Sequence, residues 1–160
     1  MTSKGIRIDK KVLNSEVFRS LSKTAMLIYL DFLQKRKMQK IKGSPRRSDG
    51  WIIINNGEIE YTYSEAEKRG ISRSRFMRAL DGLIGKGFID VAHSGSGGMK
   101  GDKSKYAISE RWREWGTDNF INKTRPRDTR GGRGFGVYWK NQKANMGIKS
   151  DNPPIIENDN

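Results

Sequence analysis

The sequence predicts an α+β fold followed by a basic extension, and three observations support this prediction. Apolar residues spaced three to four positions apart alternate along the chain with short β-prone runs. Glycines bound two consecutive helical segments near the middle of the chain. From Thr117 onward the periodicity disappears and the composition becomes basic and glycine-rich. We therefore predict a folded domain over residues 1–115 and a partly irregular arm over residues 116–160.

Composition restricts the classes of partner. The 160 residues carry a formal net charge of +14, from 32 basic and 18 acidic side chains. A charge of this size favours a polyanion, either nucleic acid or an anionic membrane surface. The longest apolar run, Ala25 to Leu30, is far too short to span a bilayer, and the N-terminal segment lacks the apolar core of a signal peptide. We expect a cytoplasmic, nucleoid-associated protein with no membrane partner.

The sequence offers no support for catalysis or cofactor binding. Cysteine is absent and His93 is the only histidine, so a thiolate or imidazole metal site lacks enough ligands. A histidine-based nucleophilic relay lacks partners for the same reason. We expect no enzyme activity, no metal, no cofactor and no small-molecule substrate.

The first long helix is predicted over residues 23–40, with Ser22 as its N-cap. One stripe at helical spacing consists of Ala25, Ile28, Tyr29, Phe32 and Leu33. A second apolar side consists of Met26, Leu27 and Leu30. An apolar surface on two sides places this helix either at the centre of the core or in a subunit interface.

A hairpin and a short helix are predicted next. Two β-prone runs surround Asn56-Gly57, the preferred two-residue hairpin turn, which predicts a hairpin over residues 51–63. A basic loop, Lys40 to Gly50, precedes it. The following helix is predicted to begin at Ser64, a capping residue, and to stop at Gly70.

A second long helix follows at once, with Ser72 as its expected N-cap. At 100° per residue one side collects Phe76, Ala79, Leu80, Leu83 and Ile84. Ser74 and Arg78 fall opposite that side, Arg75 flanks them, and Arg73 lies in the first turn. Cations near a helix N-terminus slightly destabilise the isolated helix, so folding does not explain these arginines.

Two further strands are predicted over residues 88–93 and 104–109. They flank a glycine-rich segment that is typical of an exposed hairpin tip. Three lysines lie on or beside that tip, namely Lys100, Lys103 and Lys105. A helical turn over residues 110–116 ends the predicted domain.

The spacing Ala66-x3-Gly70-x5-Phe76 resembles the turn of a winged helix-turn-helix domain. A helix ending in glycine before a strand, and the glycine-rich hairpin after it, extend the resemblance over roughly Val12 to Trp115. The resemblance implies a three-helix core with a β-hairpin wing. The predicted domain is similar to those of bacterial, plasmid and phage replication initiators and of transcriptional repressors. It therefore implies non-enzymatic binding of double-stranded DNA in replication initiation or transcriptional control.

The expected DNA contacts fall in three groups. The second helix of a helix-turn-helix enters the major groove by its N-terminal residues, which here are Ser72, Arg73, Ser74, Arg75 and Arg78. The wing contributes Lys100, Lys103 and Lys105. The arm contributes Arg125, Arg127, Arg130 and Arg133. Nothing in the sequence decides between a monomer and a homodimer.

Two other interpretations stay open. Residues 121–149 hold eight basic residues and one acid, and the aromatics Phe135, Tyr138 and Trp139 lie among them. This composition suits RNA or single-stranded nucleic acid, and it also suits a structural extension packed on the core. Alternatively, the helix at Met26 to Leu33 builds a protein interface and the charge is incidental.

Overall fold

α-Helices and small antiparallel sheets make up the residues that the computed structural model describes, which are 5–41, 50–95 and 102–126. The fold is mixed α+β, as predicted. In chain order the elements are α1 (Lys10–Asn14), α2 (Glu16–Arg19), α3 (Lys23–Lys35), β1 (Met38–Lys40), β2 (Trp51–Ile53), β3 (Ile59–Glu60), α4 (Tyr63–Lys68), α5 (Arg73–Gly85), β4 (Ile89–His93), β5 (Lys105–Ile108) and a 3-10 turn, Arg111–Glu114.

The strands form two separate sheets. The larger sheet has the order β3-β5-β4, and both pairings are antiparallel. Ile59 pairs with Tyr106, and Ile89 pairs with Ile108. The smaller sheet pairs β1 with β2. The two predicted strands after α5 are therefore confirmed as an antiparallel pair.

The core lies where α3 and α5 pack against each other and against the larger sheet. Every residue of the stripe predicted on α3 is buried, and so is every apolar position predicted on α5. The ring of Tyr61 lies between those of Phe32 and Phe76, at 5.5 and 4.9 Å between centroids. Phe32 also contacts Tyr106 of β5, at 5.3 Å. Helical periodicity alone therefore located the packing face of both long helices.

A left-handed glycine joins α4 to α5. Gly70 has φ of 77°, a conformation that side chains with a Cβ rarely adopt. Its N–H donates to Glu67 O and the N–H of Ile71 donates to Ala66 O, both at 2.9 Å. This pair of bonds satisfies the last carbonyls of α4 and turns the chain into α5. The same pattern ends α5 at Gly87, whose φ is 80°.

Helix α3 is shorter than predicted. It ends at Lys35, although neither glycine nor proline stops it. The amide of Asn55 replaces the next turn, because its Nδ2 donates to Lys35 O at 3.1 Å and its Oδ1 accepts from Lys37 N at 2.7 Å. Residues 38–40 are released from the helix to form β1.

The predicted hairpin around Asn56-Gly57 is wrong. Gly57 does adopt a positive φ of 90°, but the strands on either side of this turn belong to different sheets. The amide of Asn56 accounts for the difference. It accepts from the N–H of Ile108 at 2.7 Å and donates to its carbonyl at 3.1 Å, which extends the pairing of β5 beyond β3. β2 pairs with β1 instead.

One helix boundary also differs from the prediction. Helix α4 begins at Tyr63 with Thr62 as its cap, rather than with Ser64, because the Thr62 hydroxyl accepts from Glu65 N at 3.2 Å. The described residues up to Pro126 belong to one compact unit. The domain boundary at residue 115 stays a prediction. The remainder of the predicted arm lies outside the described residues. Among the described residues, no helix is both long and apolar enough to cross a membrane.

Candidate nucleic-acid interface

The N-terminus of α5 is not closed by its own cap residue. Ser72 occupies the N-cap position with extended backbone, as predicted, but its side chain accepts no capping hydrogen bond. The caps of the other four described α-helices all accept one. The hydroxyl of Ser72 is exposed, and the first N–H groups of α5 lack the side-chain acceptor that the other helices have.

The exposed face of α5 carries the contact residues that were predicted for this helix. The exposed side chains in its first half are Arg73, Ser74, Arg75, Met77 and Arg78. Phe76 and Ala79 alternate with them and are buried, which fixes the orientation of the helix. The structure therefore brings all five residues predicted at the start of this helix, including Ser72, onto one solvent-facing surface.

Arg75 and Arg78 have no acidic partner within the described part of the chain. The only hydrogen bond of the Arg78 side chain there runs from Nε to Ser74 O of the same helix, at 3.3 Å. Neither guanidinium forms an ion pair with a described carboxylate. Two full positive charges thus face solvent close to the positive end of the helix dipole.

Arg73 is placed differently from these two arginines. Its Nε donates to Glu67 Oε1 at 3.0 Å, and its guanidinium carbon lies 6.0 Å from the centre of the Tyr63 ring. Three quarters of the side chain is nevertheless exposed. Arg73 therefore has two neighbours on α4, while most of its side chain remains accessible.

The lysines of the β4–β5 hairpin that the structure describes are paired within the sheet. Lys103 contacts Glu60 at 3.0 Å, and Lys105 forms an ion pair with Glu58. The hydrogen bond and charge of Glu58 raise the pKa of the Lys105 ammonium. The predicted basic contribution of this strand is largely neutralised by acids next to β3. Lys100 lies outside the described residues.

Arg125 packs on the domain rather than extending from it. Its Nε lies 3.2 Å from Asp81 Oδ1, and its Nη1 donates to the hydroxyl of Tyr63 at 3.0 Å. Only about a quarter of this side chain is exposed. It joins α4 to α5, so we interpret it as structural. Arg127, Arg130 and Arg133 lie outside the described residues.

The C-terminal end of α5 is fixed by Arg111. Its Nη2 donates to Ile84 O at 2.9 Å and to Asp90 Oδ1 at 2.6 Å. Burial raises the pKa of the Asp90 carboxyl, but hydrogen bonds and charge from Arg111 outweigh burial and hold the pKa below its usual range. This cluster anchors α5 at the end opposite its exposed arginines.

Sequence reasoning missed the residues that contact Arg73, which are Tyr63 and Glu67. Their positions were not predictable from spacing, because α4 must first fold back onto α5 through the turn at Gly70. The Ala66-Gly70-Phe76 spacing was the one available signal, since it places the last turn of α4 beside the first turn of α5. Among the described residues, no group of three or more His, Cys, Asp or Glu could hold a metal ion.

Comparisons with protein-family models, curated proteins and solved structures gave no match.

Proposed function

We propose that this chain is a winged helix-turn-helix protein that binds double-stranded DNA. In this proposal α4 and α5 are the helix-turn-helix, α5 enters the major groove, and the β4–β5 hairpin is the wing. The observation that carries the proposal is the pair Arg75 and Arg78, exposed on the first half of α5 with no described acid to neutralise them.

Electrostatics supports the proposal. Cations at the N-terminal half of a helix oppose the helix dipole, so α5 would fold more readily with neutral side chains there. Phosphates lining a groove reverse the sign of this interaction, because each arginine then meets a negative charge. The major groove admits an α-helix, and arginine is the side chain best suited to guanine edges and phosphates.

The open N-terminus of α5 supports the same orientation. Uncapped N–H groups and the positive end of the helix dipole together favour an anion. The free hydroxyl of Ser72 adds one more donor to that anion. A backbone phosphate at this end would satisfy groups that the other helices satisfy with their own caps.

The roles of the remaining predicted residues change within this proposal. Lys103 and Lys105 already neutralise carboxylates, and Arg125 holds α4 to α5, so we assign all three little direct contribution to DNA affinity. The binding surface is then centred on α5. A biological role in replication initiation or in transcriptional control stays part of the proposal.

The experiment is selection of binding sites from a random duplex pool, followed by fluorescence anisotropy with the selected duplex. We expect the full chain to prefer duplex over single-stranded DNA and RNA of the same sequence. Arg75→Ala and Arg78→Ala should each weaken duplex binding. The matched control is Arg19→Ala, which removes an exposed arginine on α2 that also lacks a described acidic partner.

Three results would contradict the proposal. Stronger binding to RNA or single strands, unaffected by Arg75→Ala, would favour the arm as the binding element. Equal losses for Arg19→Ala and Arg78→Ala would indicate that net charge alone drives association. No binding to any nucleic acid at about 50 mM salt, where phosphate contacts are strong, would favour a protein-interaction module.

A further inference from the structure

We infer that Arg73 reads a guanine in the DNA target and that Glu67 is the positioning residue that aims it. The inference rests on the proposed function and divides roles among the three arginines of α5. Arg73 would specify a base, whereas Arg75 and Arg78 would contact the backbone.

The first argument is the way Arg73 is held. Glu67 takes the Nε proton at 3.0 Å, and the Tyr63 ring lies beside the guanidinium at 6.0 Å. An arginine side chain has large rotamer freedom, and the loss of that freedom opposes each contact it makes. These two neighbours restrict the side chain and reduce that loss before DNA arrives, as accurate recognition requires.

The second argument is that this support is itself anchored. The Tyr63 hydroxyl accepts from Arg125 Nη1 at 3.0 Å, and Arg125 is paired with Asp81 of α5. The ring of Tyr63 meets that of Phe76 edge to face, with centroids 5.2 Å apart, and Phe76 is fully buried. The position of Arg73 is thereby tied to the core.

The third argument is a count of donors. An arginine has five N–H groups, one on Nε and four on the two terminal nitrogens. Because Glu67 uses the Nε proton, Nη1 and Nη2 keep theirs, and the side chain remains three quarters exposed. A bidentate contact to guanine O6 and N7 needs two donors in parallel. The terminal nitrogens of Arg73 supply that pair.

The other two arginines lack these features. The side chain of Arg75 has no described hydrogen-bond partner, and Nε of Arg78 donates to the carbonyl of Ser74 in its own helix. Unsupported long side chains suit phosphates, which accept from many directions and carry no base identity.

Folding does not account for Glu67. The Arg73–Glu67 pair is exposed on both sides, at 75% and 47%, and exposed ion pairs contribute little to stability. A carboxylate at a DNA-binding surface repels phosphates and lowers affinity for every sequence. It is useful there if it improves discrimination between sequences, since specificity is a difference of affinities.

The test uses the full chain and a duplex recovered by selection from a random pool. Each guanine in that duplex is replaced in turn by 7-deazaguanine, which lacks the N7 acceptor. We expect one replacement to weaken wild-type binding by up to about tenfold, because it removes one of the two hydrogen bonds of a bidentate contact and leaves the bond to O6. The same replacement should have no effect on Arg73→Ala.

Glu67→Ala gives effects of opposite sign in two readouts. Affinity for the unselected pool should rise a few-fold, because a negative charge is removed, while preference for that guanine should fall about tenfold. Glu67→Gln, which keeps an acceptor for Nε, should retain part of the preference. The matched control is Glu110→Ala, which removes an exposed acid from the Glu110–Arg113 pair and should leave the preference unchanged.

Two outcomes would overturn the inference. If duplex binding is strong but 7-deazaguanine has no effect at any position, Arg73 does not read guanine. If Glu67→Ala raises affinity for all sequences equally, Glu67 does not position Arg73. The proposed function stands in both cases. If no duplex is enriched by selection, the inference and the proposed function fail together.

Discussion

The two long helices α3 and α5 are alike in length, in their buried faces and in the backbone at their N-caps. Each has 13 residues, buries five of them and follows a serine with nearly the same backbone angles. Ser22 has φ −66° and ψ 152°, and Ser72 has φ −64° and ψ 154°. The helices pack against each other, so the same periodic pattern and the same start signal built both.

The polar and charged groups on their exposed faces differ. Ser22 accepts a capping bond from Ala25 N at 3.1 Å, and Lys35 on the same helix pairs with Glu65 of α4 at 2.7 Å. On α5 the Ser72 side chain makes no capping bond, and Arg75 and Arg78 have no described acid. Ser22 and Lys35 of α3 therefore have partners within the fold. Under our proposal, DNA supplies the partners of Ser72, Arg75 and Arg78.

Removing a core ring from either helix tests whether the two buried faces contribute equally to stability. Phe32→Ala and Phe76→Ala should each destabilise the fold by about 3–5 kcal/mol, because both rings are fully buried and would leave a cavity. Urea unfolding followed by circular dichroism measures this. A loss below about 1 kcal/mol at one of the two positions would show that its helix is not part of the common core.

Substitutions at exposed positions, in contrast to core positions, should have different effects on α3 and α5. Arg78→Ala should weaken duplex binding to a similar degree on all sequences, because it removes a phosphate contact, and by less than the roughly 1–3 kcal/mol of a base contact. The unfolding free energy should stay unchanged within about 0.5 kcal/mol. Lys35→Ala on α3 is the matched change, and it should lower stability slightly and leave DNA affinity unchanged. Weaker DNA binding in Lys35→Ala, together with unchanged binding in Arg78→Ala, would contradict this difference between the helices.

The two serines give the closest matched pair. Ser22→Ala should cost about 1 kcal/mol of stability, because it removes an N-cap bond. Ser72→Ala should cost less stability, since no such bond is lost, and should weaken DNA binding. Equal losses of stability in thermal unfolding would show that Ser72 does cap α5 in solution.

The smallest effect is expected at the hairpin. Lys103→Ala and Lys105→Ala should change duplex affinity by less than about 0.5 kcal/mol, because Glu60 and Glu58 already neutralise these lysines. Anisotropy titration at fixed salt measures the change. A loss of duplex affinity as large as that for Arg78→Ala would show that the hairpin lysines contact DNA.

Local patterns in the sequence predicted most of the fold. The buried stripes of α3 and α5 follow from the 3.6-residue period, and the turn at Gly70 follows from the need for a positive φ. The end of α3 did not follow, because it is set by the side chain of Asn55, twenty residues away. The pairing of β2 with β1 also did not follow, because it joins residues up to about fifteen positions apart, such as Met38 and Ile53.

That error in strand pairing also explains why the acidic partners of the hairpin lysines were not predicted. A β2–β3 hairpin would have kept Glu58 and Glu60 beside β2, away from the hairpin lysines. The observed pairing of β3 with β5 brings both acids against Lys105 and Lys103. The arginines of α5 were predicted correctly as exposed, because their exposure depends only on the helix that carries them.

The most direct test of the central claim is the salt dependence of duplex affinity. For wild type and the double variant Arg75→Ala, Arg78→Ala, the logarithm of affinity is plotted against the logarithm of salt concentration. Our account predicts that the slope of the double variant is smaller by about two, since each phosphate contact contributes about 0.9. An unchanged slope, or the same decrease per arginine in Arg19→Ala, would contradict it.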